Sequence, residues 1–130
     1  MSAPRPTLSL MLDAAPGAPS RARAAVAGHV ADPEDRADLE LAASELVTNA
    51  VGDGPADVDA LVLLDLDVRA AEYVLTVSST PGPPGARPRA GEAIGLAILR
   101  ALGCDVHVRH EEHRTVATCR LPRTSAPAAG

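Results

Sequence analysis

Glu45 and Asn49 are residues whose types and spacing could do chemistry. Four positions apart in Leu41-Ala-Ala-Ser-Glu-Leu-Val-Thr-Asn-Ala-Val51, they stack on one face of a helix, at the border of its apolar stripe. By spacing alone they also read as the solvated edge of an amphipathic helix. His107, His110 and His113 are spaced by three, but side chains along a strand alternate between faces, so His107 and His110 point apart and a shared metal would need a bend. Cys104 and Cys119 could form a redox pair, whereas a reducing compartment favours two buried free thiols. The chain has no Gly-x-Ser-x-Gly elbow, and with no lysine at all it cannot form a Walker-type phosphate loop.

The elements that must position these groups can be read from pattern. Thr7–Leu12 alternates Leu8, Leu10 and Leu12 on one face, a short strand ended by the Pro16-Gly17 turn signal. Pro19-Ser20 opens a helix with Ala22, Ala25, Val26 and Val30 at helical spacing, which must end before Asp32-Pro33 because proline disfavours the helical region for its predecessor. Asp32 then caps the longest helix, with Pro33 at its first position and Glu34 and Asp35 facing the positive end of the dipole. Leu39, Ala42, Ala43, Leu46, Val47 and Ala50 form its continuous apolar stripe, suited to burial on a sheet, and Gly52-Asp-Gly-Pro55 stops it.

Ala60–Arg69 and Glu72–Ser79 read as an antiparallel hairpin about Ala70-Ala71, with Asp65 and Asp67 on the solvent face. Residues 80–91 hold four prolines and three glycines and can be neither helix nor central strand. Glu92–Leu102 is a helix with Ile94, Ala97, Ile98 and Ala101 on one face and Gly103 at its C-terminal cap position. Cys104–His110 and Arg114–Leu121 make a last hairpin. A two-residue turn at Glu111-Glu112 would set Cys104 opposite Cys119, Val106 opposite Ala117 and Val108 opposite Thr115. The expected fold is a two-layer α/β (α+β) sandwich: a mixed, mostly antiparallel sheet with three helices on one face. Residues 7–121 would form the domain, with loose tails at 1–6 and 122–130.

Composition narrows the function. A chain of 130 residues, 46% apolar and 22% charged, fits one globular domain. Tyr73 is the only aromatic residue, so the core must be aliphatic and the stacking platforms that hold single-stranded nucleic acid are missing. A formal charge of −5 offers no general attraction to a phosphate backbone, which argues against direct nucleic-acid binding. The aliphatic run Leu61–Leu64 is far short of the ~20 apolar residues that span a bilayer, and the first residues carry no apolar signal region. A cytoplasmic location is expected by default, without membrane contact.

The string Leu41–Val51 resembles the N-box of the GHKL ATPases, the superfamily of gyrase, Hsp90, the histidine kinases and MutL with the Bergerat fold. Within it the closest likeness is to the actinobacterial anti-sigma-factor serine kinases, which typically read "SELVTNAV" there; the order of elements over residues 7–121 matches as well. The resemblance implies that Glu45 orients or deprotonates the nucleophile, a water or a partner's serine hydroxyl. It also implies that Asn49 ligates the Mg²⁺ of bound ATP, an ion that takes only one or two oxygen ligands from protein.

The family's adenine-binding aspartate falls on Ser79 in Val77-Ser-Ser-Thr-Pro81, a shorter and neutral acceptor. Adenine recognition should weaken by about 1–3 kcal/mol, up to about a hundredfold in affinity. The family's "GGRGLGL" lid aligns with Gly91-Glu-Ala-Ile-Gly-Leu-Ala97, which keeps Gly91, Gly95 and Leu96 but replaces earlier glycines with Glu92 and Ala93, so that Glu92 brings a negative charge toward the phosphates where the family's arginine would attract them. Thr115 matches the threonine of the family's "GKTVW" strand beside adenine, and Val51-Gly-Asp-Gly54 lacks the Arg-His pair that often follows the N-box. The resemblance implies a regulator of transcription by partner switching, with a sigma factor or an anti-sigma-factor antagonist as partner; relatives often dimerise. Alternatively, the domain keeps the fold as a protein-binding module with little or no ATP binding.

Overall fold

The computed structural model describes residues 6–52, 60–79, 91–111 and 114–124. Its elements follow in the order β1 (Leu8–Asp13), α1 (Ala18–Ala27), α2 (Pro33–Val51), β2 (Leu61–Val68), β3 (Glu72–Ser79), α3 (Glu92–Ala101), β4 (Asp105–His110) and β5 (Thr115–Pro122).

Local chemistry sets the bounds of α2. The Asp32 carboxylate accepts hydrogen bonds from the backbone N–H groups of Glu34 and Asp35, each at 3.0 Å, with Pro33 next in line. At the other end Gly52 has φ 72°, a backbone conformation that favours glycine, and its N–H closes on the Thr48 carbonyl. The stripe Leu39, Ala42, Ala43, Leu46 and Val47 is fully buried, so α2 is the seam between the layers.

The sheet order is β1-β2-β3-β5-β4. Every ladder among the described residues is antiparallel, so the sheet is wholly rather than mostly so. One alternating set of side chains, with Leu12, Leu64, Leu66, Leu75 and Val77, is buried on the helix side. The other set, with Met11, Leu63, Asp65 and Asp67, is not. The β2–β3 hairpin turns at Ala70-Ala71 as expected, closed by the Arg69 N–H on the Glu72 carbonyl at 2.9 Å.

Three further expectations are corrected. First, α1 starts at Ala18 and stops at Ala27, so Val30 is buried from the connector rather than from a helical face.

Second, α3 buries Gly95 and Leu99, with Leu96 packed against the core, while Ile94 is 67% and Ile98 45% exposed. The buried side lies two residues back, about 160° around the helix, from the one expected. A helix that is apolar on nearly every side carries no unique inward face in its periodicity. The turn that hands α3 to β4 selects it: Gly103, at φ 94°, donates to the Arg100 carbonyl and Cys104 to the Leu99 carbonyl.

Third, the last hairpin closes between the Glu111 N–H and the Arg114 carbonyl, one residue later than expected. Cys119 therefore faces Val106, Ala117 faces Val108 and Thr115 faces His110. Each partner moves by two positions, which keeps every side chain on its expected face.

Candidate functional site

A buried carboxylate fixes how α2 lies on the sheet. Asp35, in its first turn, is 2% exposed and accepts a hydrogen bond from the Tyr73 hydroxyl at 3.1 Å, which pins the start of α2 to the start of β3. The Thr124 N–H, at 3.1 Å, and the Thr124 hydroxyl also donate to Asp35, and the Arg123 guanidinium sits 5.3 Å over the Tyr73 ring. Burial pushes the Asp35 carboxyl up, but the hydrogen bonds from Thr124 and Tyr73, with the Arg123 charge, outweigh it and hold the group below the ordinary carboxylate value.

From this anchor, α2 and β3 span matching lengths. Fourteen residues from Asp35 to Asn49 rise about 21 Å at ~1.5 Å each, and six from Tyr73 to Ser79 run about 20 Å at ~3.4 Å each. Because α2 lies over β3 more than over any other strand, Glu45 and Asn49 reach the end of the layers where β3 finishes at Ser79. Both side chains are half-buried, at the edge of the stripe formed by Ala42 and Leu46. The Thr48 hydroxyl between them donates to the Ser44 carbonyl at 2.6 Å, so it serves the helix.

The sheet brings Thr115 to the same end. Ser79 and Thr115 are ladder partners on the helix-facing side, both half-buried, and His110 pairs with Thr115 in turn. The His110 Nδ1 and Thr115 Oγ1 atoms share a hydrogen bond of 3.2 Å.

The N-terminus of α3 is carried there by topology. Asp105, where β4 begins, pairs with Arg120, which pairs with Val74 near the start of β3. The C-terminal end of α3 therefore lies by the Asp35–Tyr73 anchor and its N-terminal end points the other way. Gly91 starts the helix at φ 87°, and its carbonyl accepts from the Gly95 N–H at 2.9 Å. Glu92 follows in the first turn, where its charge suits the helix dipole and opposes an approaching anion.

Glu45, Asn49, Ser79, Gly91, Gly95, Leu96 and Thr115 thus belong to elements that converge on one end of the sandwich. The lid motif, Gly91–Ala97, forms the start of α3, whereas Asp53 and Gly54 of the stretch after the N-box lie outside the described residues. His107 and His110 lie on opposite faces of β4, with His107 Nε2 2.9 Å from Asp105 Oδ1, and His113 lies outside the described residues. No group of three or more candidate metal-ligating side chains gathers among the described residues.

Sequence reasoning missed two participants. Asp35 was legible as a first-turn acid but not as a buried acceptor; the signal lay in Tyr73, a lone aromatic whose hydroxyl needs a partner when buried. His110 was missed as the partner of Thr115 because the hairpin was set one residue early.

No protein-family profile matches the chain, and no curated protein matches it. Among solved structures the chain is similar to the histidine kinase domain of a blue-light-activated histidine kinase from Erythrobacter litoralis. The TM-score is 0.52 at 22% identity over 68% of this chain and 45% of that one, so the chain spans less than half of that structure. The likeness identifies a histidine-kinase-like ATPase fold, consistent with the five-stranded antiparallel sheet and three helices. No helix among the described residues is long and apolar enough to cross a membrane.

Proposed function

We propose that the chain is an ATP-binding regulatory protein of the anti-sigma-factor serine kinase type. It controls transcription by partner switching in the cytoplasm, contacting a sigma factor or that factor's antagonist and acting as a homodimer. The observation that supports this reading is the convergence, at one end of a histidine-kinase-like fold, of Glu45 and Asn49 on α2 with Ser79 and Thr115 on neighbouring strands.

The donor set suits Mg-ATP. Asn49 offers a neutral amide oxygen to a hard cation that needs one or two protein ligands. Ser79 and Thr115 offer adjacent hydroxyls for the polar edge of a purine, and Gly91, Gly95 and Leu96 shape the helix start that faces phosphate. Bound ATP supplies the phosphoryl group. Glu45, one helical turn from Asn49, orients the attacking hydroxyl or water and takes its proton.

A second reading has its own support in Ser79 and Glu92. A neutral acceptor at the adenine position and a carboxylate at the phosphate end suit a protein-binding module that has kept the fold and lost the nucleotide.

Isothermal titration with ATP and ADP, with and without Mg²⁺, decides between them. Magnesium-dependent binding that is abolished in Asn49→Ala supports the first reading, and Glu45→Gln should then bind nucleotide yet fail to phosphorylate a serine-bearing partner. Silence at millimolar nucleotide supports the second.

A further inference from the structure

The two cysteines remain outside every role assigned so far. Cys104 is 3% and Cys119 0% exposed, and both belong to the hydrophobic core. Cys119 pairs with Val106 in the β4–β5 ladder, and Cys104 lies two residues before Val106, so both point to the helix-facing side as diagonal neighbours. The two thiols lie close enough to shift each other's ionisation. Cys104 is also the residue whose N–H closes the end of α3 on the Leu99 carbonyl. The pair therefore joins the C-terminal cap of α3 to the interior strand β5, and no other cysteine exists in the chain to compete.

We propose that Cys104 and Cys119 form an intramolecular disulfide when the protein meets hydrogen peroxide, a redox-sensitive staple between the cap of α3 and β5. The Cys104 thiolate attacks one peroxide oxygen, giving a sulfenic acid and hydroxide as the O–O bond breaks. The Cys119 sulfur then attacks the Cys104 sulfur; the S–S bond forms, the S–O bond breaks and the hydroxyl leaves as water with the Cys119 proton. Two electrons pass from the two sulfurs to the peroxide, and the sum is one disulfide and two waters from two thiols and one peroxide.

The roles divide by environment. The neighbouring Cys119 thiol favours the thiolate at Cys104, against its burial, whereas that same neighbour and deep burial hold the Cys119 proton on. Access is by the exposed turn Ala101, Leu102 and Gly103, whose loosening uncovers Cys104 to a molecule barely larger than water.

The test needs no nucleotide and stands whether or not the chain binds ATP. The reduced full-length protein, with reductant removed, is treated with a small excess of hydrogen peroxide, then denatured and alkylated with iodoacetamide. Expected is a monomer lighter by two hydrogens, with no alkylated cysteine, restored to two by dithiothreitol, and with a higher Tm than the reduced form. Cys119→Ala should stop at the sulfenic acid on Cys104, trapped by dimedone, and Cys104→Ala should leave Cys119 reduced. The proposal is overturned if native wild-type protein keeps both thiols alkylatable, gains oxygen without losing thiol pairs, or forms only disulfide-linked dimers.

Discussion

At one end of the α2–β3 seam a carboxylate is sealed from water, and ten residues along the same helix a second carboxylate is half exposed. Asp35 spends its acceptor capacity on the Tyr73 hydroxyl and on the Thr124 N–H and hydroxyl, groups that all come from this chain. Glu45 lies where α2, β3, β5 and the start of α3 converge with half-buried polar side chains. The first end is built to hold the layers in register; the second is where the proposed nucleotide site would lie.

The largest expected effect breaks the closed end. Asp35→Ala strips the acceptor from the buried Tyr73 hydroxyl and releases Thr124, and it should lower unfolding free energy by about 2–4 kcal/mol in a urea titration. A smaller loss than 1 kcal/mol would mean the network is ornamental.

Next is acid. The folded-state pKa of Asp35 lies below the unfolded value of about 3.9. Its stabilisation is therefore fully present above that value and is lost as pH falls through the folded pKa below it. Thermal melts from pH 5 downward should show this decline, and Asp35→Asn should flatten it.

At the open end, Ser79→Asp should raise ATP affinity by about tenfold or more, up to a hundredfold, with little change in Tm. An unchanged or weaker affinity would remove Ser79 from any adenine contact.

The smallest effect is expected from Ile98→Glu, which tests the reversed face of α3. On the exposed side, it should change stability by less than about 0.5 kcal/mol, whereas the contrasting Leu99→Ala next to it should cost at least about 2 kcal/mol. Equal losses would return α3 to the orientation its periodicity suggested.

The candidate site was legible to an uneven degree. Glu45 and Asn49 share a helix, and four-residue spacing fixes their common face before any tertiary contact exists. Ser79 and Thr115 were each singled out by motif, but their pairing depends on which residues close two hairpins. The Ala70-Ala71 turn was read correctly. The turn after β4 was set one residue early because Glu111-Glu112 and the residues around it are equally polar, and only hydrogen-bond closure separates the alternatives. The faces survived because a shift of two positions preserves alternation.

What this sequence determines by itself are the features governed by near neighbours along the chain. These are the Asp32 cap and Pro33 start of α2, its buried stripe, the left-handed glycines at Gly52 and Gly103, and the alternation of β1, β2 and β3. Only the tertiary structure decided the side on which α3 is buried, the role of Asp35, and the gathering of Glu45, Asn49, Ser79, Thr115 and Gly91 at one end. Those outcomes depend on contacts between residues distant in sequence, such as the 38 positions between Asp35 and Tyr73. Local propensity carries no information about such pairs until the layers close on one another.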